Sequence, residues 1–186
     1  MKKIFNMITA ILVLNTVQLL AQDSPPFRRP TPGPERAKLS FLVGRFVTET
    51  HLKPNPMSDK ESIGKGTSNI SYGVDSMFLF LDDQSINPVL GAYRAHGVLG
   101  YDRREGNYVL SMFNNFGDTP QYKGSMKGDT LTLATKVDFP GGAFDQKLVW
   151  YNEGKTNRLK IYNDMGEGYT LVIDQIFTPT SVDDKK

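Results

Sequence analysis

Arg94 and His96 are the residues whose types and spacing most directly suggest chemistry. They stand two apart in Gly91-Ala92-Tyr93-Arg94-Ala95-His96-Gly97, and in an extended chain residues two apart share a face. A guanidinium beside an imidazole can fix a carboxylate or phosphate head group. The imidazole can also ligate a metal or haem iron, or serve as an acid/base group. The other reading places both side chains in solvent, or pairs Arg94 with an acid on a neighbouring strand. Ala92, Ala95 and Gly97 are small and leave both orientations open.

A second group is aromatic and sulfur-bearing: Tyr101, Tyr108, Met112, Phe113 and Trp150. In a β-barrel some of these must point inward, where they either fill a core or surround a ligand. The expected ligand-binding set is therefore Arg94, His96, Tyr101, Tyr108, Met112 and Trp150. No catalytic residue, metal ligand or cofactor is expected. There is no Gly-x-Ser-x-Gly elbow, no cysteine and no phosphate-cradling glycine loop ending in Lys-Ser/Thr. The second histidine, His51, is far from His96 and no metal-ligand spacing connects them. Asp102, Asp118, Asp129, Glu153, Asp164 and Glu167 fall in turns, where an aspartate bonds to nearby backbone, so they read as structural. Asp174 lies opposite Leu171 and Ile173 in an alternating segment and reads as solvent-facing.

The elements that must position these residues are short strands. Residues 91–115 form two extended segments around the polar turn Asp102-Arg103-Arg104-Glu105-Gly106-Asn107, which predicts a β-hairpin. The same grammar recurs along the chain. Strands are expected near 44–52, 62–72, 121–126, 130–137, 146–151, 158–162 and 169–178. The apolar run Met77-Phe78-Leu79-Phe80-Leu81 reads as a strand buried on both faces and ended by Asp82-Asp83. The odd positions Tyr169, Leu171, Ile173 and Phe177 form one apolar face of the last strand. A short helix is expected after Pro34, with Glu35 favouring its start. About nine or ten strands at roughly eight-to-twelve-residue spacing predict an all-β fold. Consecutive hairpins favour an antiparallel up-and-down barrel, whose closure removes exposed strand edges.

The chain begins with a different composition. Residues 1–21 carry Lys2 and Lys3, an apolar run over 8–17, and Ala21 at a cleavage-like position, which together read as a secretory signal peptide. The apolar run is too short for a permanent span and is interrupted by Asn15, so no stable membrane span is expected after its removal. Residues 22–36 are a proline-rich linker, 37–180 the barrel domain, and 181–186 a charged, disordered tail. Loss of Lys2 and Lys3 takes the formal charge from +2 to zero. That balance offers no basic face for nucleic acid. The absence of cysteine leaves an exported chain to rely on its core alone.

Several of these segments together resemble domain-of-unknown-function family 1579. They are Ala95-His96-Gly97-Val98-Leu99-Gly100-Tyr101-Asp102, Tyr108, residues 112–117, Gly124 and Leu131-Thr132-Leu133. Leu39-x-x-Leu42-x-Gly44 and the glycine-spaced segment from Gly64 extend the resemblance over most of the mature chain. The family usually carries Gly-x-Trp near its start; here the residues are Gly44-Arg45-Phe46. The resemblance implies a calycin-like, lipocalin-type barrel and no assigned chemistry.

The functional expectation is an exported barrel, periplasmic or extracellular in a bacterium, that binds a small amphipathic or apolar ligand rather than catalysing a reaction. The alternatives are an envelope-associated protein-interaction module and a barrel enzyme using Arg94 and His96. Sequence leaves the oligomeric state open.

Overall fold

The computed structural model describes residues 31–55, 58–139 and 142–180. The segments expected to be a signal peptide, most of the linker and the tail lie outside the described residues. The first element is a one-turn helix, α1 (Pro34–Ala37), continued by a 3-10 turn (Lys38–Leu42). Pro34 starts the helix where its missing N–H costs nothing, and Glu35 sits at the positive end of the dipole. The helix thus begins inside the stretch that composition marks as linker.

Ten strands follow: β1 (Gly44–Leu52), β2 (Ser62–Gly73), β3 (Phe78–Asn87), β4 (Gly91–Asp102), β5 (Asn107–Asn114), β6 (Gln121–Lys127), β7 (Thr130–Phe139), β8 (Gly142–Glu153), β9 (Thr156–Asp164) and β10 (Thr170–Pro179). Each pairs antiparallel with its sequence neighbours, and β10 returns to pair with β1, from Phe46↔Pro179 to Leu52↔Ile173. The result is a closed up-and-down barrel, as the run of hairpins predicts, and every strand is paired on both sides.

Alternation divides each strand into an inner and an outer row. Phe46, Thr48, Thr50 and Leu52 form the inner row of β1, while Leu131 and Leu133 are fully buried in β7 with Thr130 and Thr132 on its other face. Glycine lets strongly coiled strands approach closely at two places. A Cβ on Gly66 would run into the Gln84 carbonyl oxygen, and one on Gly124 into the Thr132 carbonyl oxygen.

One end of the barrel is plugged. Leu39 and Leu42 have no exposed surface and pack with Phe46, Leu79, Leu99, Leu131 and Phe177 in the core. Two side chains from well-separated strands tie the plug by its backbone. The Tyr108 hydroxyl on β5 donates to the Glu35 carbonyl at 2.9 Å, and Asn157 Nδ2 on β9 donates to the Phe41 carbonyl at 2.7 Å. The Arg36 guanidinium lies 4.1 Å from the centre of the Tyr72 ring.

Two strands depart from the sequence expectation. β3 does not end at Asp82-Asp83 but runs through them to Asn87. Nor is its apolar run buried on both faces: Leu79 and Leu81 point inward, whereas Phe78 is exposed and Phe80 stands on the outer wall near His96. In β10 the odd positions do not share one face. Leu171 opposes Tyr162, while Ile173 opposes Ile161, so a bulge at Val172 turns Leu171 away from the side that Ile173 occupies. The Val172 carbonyl accepts instead from the Lys53 N–H at 2.9 Å.

Candidate functional site

The end of the barrel opposite the plug opens into a cavity of about 630 Å³. That volume falls in the range of pockets that enclose small molecules, about 300–1,000 Å³. The inner row of β3, Leu79, Leu81, Asp83, Ser85 and Asn87, climbs from plug to mouth and changes from apolar to polar as it does so. The inner row of β8 descends the other way as Phe144, Gln146, Leu148 and Trp150. The lower wall is therefore apolar, completed by Leu110, Met112, Leu159 and Ile161. Polar side chains gather above it. Phe116, half-exposed in the β5–β6 loop, stands at the opening.

The polar groups fall into two kinds. Tyr122, Gln146 and Asn163 form a satisfied chain across β6, β8 and β9: the Tyr122 hydroxyl donates to Gln146 Oε1 at 2.5 Å, and Gln146 Nε2 donates to Asn163 Oδ1 at 2.9 Å. Burial raises the Tyr122 hydroxyl well above its usual range, and that of Tyr93 to about 12, so both are neutral donors. By contrast, Thr50 Oγ1, Asp83 Oδ1, Asn87 Nδ2 and Trp150 Nε1 are shut off from solvent and have no hydrogen-bond partner among the described residues. Buried polar atoms are ordinarily paired, because leaving one unpaired costs about 1–3 kcal/mol. Four such atoms belong to residues that line the cavity; three others, on Arg36, Ser68 and Asn107, do not.

Asp83 is the most costly of them. Desolvation lifts its carboxyl to about 6, the neighbouring Ser68 hydroxyl partly offsets that rise, and the nearby charge of Asp82 adds to it. Trp150, on the strand half a circumference away, is ordered from behind by Phe177 at 5.4 Å, which in turn meets Phe46 edge-on at 5.9 Å. Phe46, in the place of the expected tryptophan, thus supports the floor from the plugged end.

The structure distributes the sequence-derived site residues over three places. Met112 and Trp150 line the cavity. Tyr101 and Tyr108 meet edge-on at 5.1 Å near the plug, where they pack with the core and the Tyr108 hydroxyl donates to the Glu35 carbonyl. Arg94 and His96 stand on the outer wall. Both are exposed, and His96 Nδ1 lies 2.7 Å from Asp82 Oδ1 on the adjacent strand. Tyr93, Ala95 and Gly97 take the inner row of β4 instead, so the Arg94–His96 pair does not reach a molecule held in the cavity.

The other histidine is also external: His51 Nδ1 lies 2.6 Å from Glu61 Oε1, and Nε2 lies 2.8 Å from Glu49 Oε1. Asp174 is on the outer face, as alternation predicts, yet it is buried by a two-pronged contact with Arg158, Nε to Oδ1 at 2.7 Å and Nη2 to Oδ2 at 2.8 Å. Among the described residues no cluster of three or more His, Cys, Asp or Glu side chains is arranged for a metal ion. No helix among them is long and apolar enough to cross a membrane.

Sequence reasoning missed Asp83, Thr50 and Asn87. For Asp83 the signal was present: once the strand is carried past the paired aspartates, Leu79-x-Leu81-x-Asp83 shows that one of the two must face inward.

Comparison with known proteins adds no chemistry to this architecture. No curated protein matches the chain. Residues 31–168, well over half of it, match the family described as "Protein of unknown function (DUF1579)", and the chain belongs to that family.

Proposed function

We propose that this member of the DUF1579 family is an exported binding protein that holds a small amphipathic molecule inside its barrel. The observation that carries the reading is the cavity of about 630 Å³, apolar below and polar above. A ligand with an apolar body and a polar end would cover the lower wall and complete hydrogen bonds nearer the mouth. Export is supported by the lysines, apolar run and small-residue boundary of residues 1–21.

Native mass spectrometry of the protein purified from its producing cells tests this reading. An added mass that is retained under native conditions and lost on denaturation is the expected result. A bare mass, together with no uptake of alkyl alcohols or amines, would overturn it.

A further inference from the structure

The cavity has a sign as well as a shape, and this rests on the reading of the cavity as a binding site. Of the charged residues that border it, Lys136 and Asp138 stand on the exposed, outward row of β7 and Asp118 in a loop at the mouth, which leaves Asp83 as the carboxylate on an inner row. Asp118 already accepts from Asn114 Nδ2 at 3.1 Å and lies in the exposed loop. Asp83 is different. It stands deeper, above Leu81 on the inner row of β3, with its side chain in the cavity lining and the Ser68 hydroxyl beside it.

We infer that the barrel takes an amphipathic cation, a protonated alkyl or aryl amine, whose ammonium group pairs with Asp83 while its apolar body occupies the space between Leu81, Leu148 and Trp150. A carboxylate is an acceptor only, so its partner must bring a proton donor. A charged donor makes a bond roughly twice as strong as a neutral one, and the ammonium also relieves the ion's desolvation. An anionic head group would meet like charge at the same point.

The two strands that flank Asp83 present it no cation. β2 presents Ser68 and β4 presents Tyr93. Asp82, next in sequence, faces outward, and Tyr122, Asp118, Asp138 and Lys136 complete the polar rim. Tyr93 and Tyr122 are held neutral by burial. Because the Asp83 carboxyl titrates near 6 in the empty barrel, the cation binds its ionised form, and acidification through that value releases the ligand.

Trp150 is the only tryptophan and lies on the cavity wall, so its emission reports occupancy directly. The test is a fluorescence titration at pH 7.5 with dodecylamine, dodecanol and dodecanoate, the two ions below their micelle concentrations and the alcohol below its solubility limit. Protein freed of co-purifying ligand is used. The expected order is amine tighter than alcohol by at least tenfold, with dodecanoate weakest. In Asp83→Asn the amine-to-alcohol ratio should fall to within about twofold. The unmodified protein should lose about tenfold in amine affinity between pH 7 and pH 5, with alcohol affinity unchanged, which tests the same carboxylate without a variant. An alcohol that binds as tightly as the amine, or a preference that survives both Asp83→Asn and acidification, would overturn the cation and leave the cavity reading intact. Silence of Trp150 to all three compounds would overturn both.

Discussion

Asp82 and Asp83 are adjacent in the chain and stand on opposite faces of one barrel wall. Asp82 reaches outward to within 2.7 Å of the His96 imidazole, while Asp83 points into the cavity with a sealed, unpartnered oxygen. The first is a solvated surface pair of small energetic weight. The second is an ion held where water is largely excluded.

That second placement costs stability in the empty protein. The Asp83 carboxyl sits near 6 in the folded state, above the ordinary 3.8, so the native protein binds more protons than the unfolded chain between those values. Stability therefore falls as pH rises from about 4 to about 6 and is level above that. Asp83→Asn should stabilise the empty barrel by up to about 3 kcal/mol at pH 7.5, since each tenfold change in proton affinity is worth about 1.4 kcal/mol. Near pH 4 the substitution should change almost nothing. Urea unfolding at the two pH values checks both halves.

His51 shifts stability in the same direction with pH, from outside the barrel and at higher pH. Its hydrogen bonds to Glu61 and Glu49 raise its affinity for a proton above the usual 6.5. Its contribution is fully present below pH 6.5 and is lost as pH climbs through the raised folded value. Replacing His51 by Gln should cost about 0.2–1 kcal/mol at pH 5.5, the scale of an exposed ion pair, and little at pH 9. Parallel melting curves at those pH values decide it.

The plug should be divisible into its packing and its tie. Tyr108→Phe removes the bond to the Glu35 carbonyl and leaves the ring, so a loss of about 1 kcal/mol is expected. Leu39→Ala opens a void in the fully buried floor and should cost about 2–5 kcal/mol. Chemical denaturation of both variants measures the two contributions separately.

Close strand approach should make Gly66 intolerant of even one methyl group. The obstacle is the Gln84 carbonyl and the Ser85 backbone, which cannot turn away as a flexible side chain would. Gly66→Ala is expected to destabilise by about 1–3 kcal/mol, as overpacking usually does, with a lower thermal midpoint as the readout.

The turn between β2 and β3 holds strain of another kind. Val74, Asp75 and Ser76 have φ of 47°, 54° and 62°, three successive left-handed residues, the first of them β-branched. Val74→Gly should raise stability by about 1 kcal/mol, since left-handed backbone costs a side-chain-bearing residue about 1–2 kcal/mol and part of that gain returns as unfolded-chain entropy. An unchanged or lower midpoint would show that Val74 offsets its backbone cost through contacts of its own.

The strand grammar was legible because hairpin turns and alternation are local. The β1 limits and the 102–107 turn follow from residues within a few positions of each other. What escaped was non-local. The facing of Arg94 and His96 was open because Ala92, Ala95 and Gly97 carry no pattern, and only the pairing with β3 and β5 places Ala95 and Gly97 inward. The bulge at Val172 adds one residue to an otherwise regular alternation, and nothing in Leu171-Val172-Ile173 marks it. Asp83 was hidden by a turn signal: two aspartates after five apolar residues imitate the end of a strand.

The plug also governs traffic. With α1 and the 3-10 turn seated in one end, and every strand bonded to two neighbours, the described residues leave the interior a dead-end passage that opens at the other end. Whatever enters must leave by the way it came, so an arriving competitor cannot push the occupant out from behind. Exchange would then proceed by departure first and arrival second, at a pace set by the occupant's own dissociation and indifferent to how much competitor waits outside.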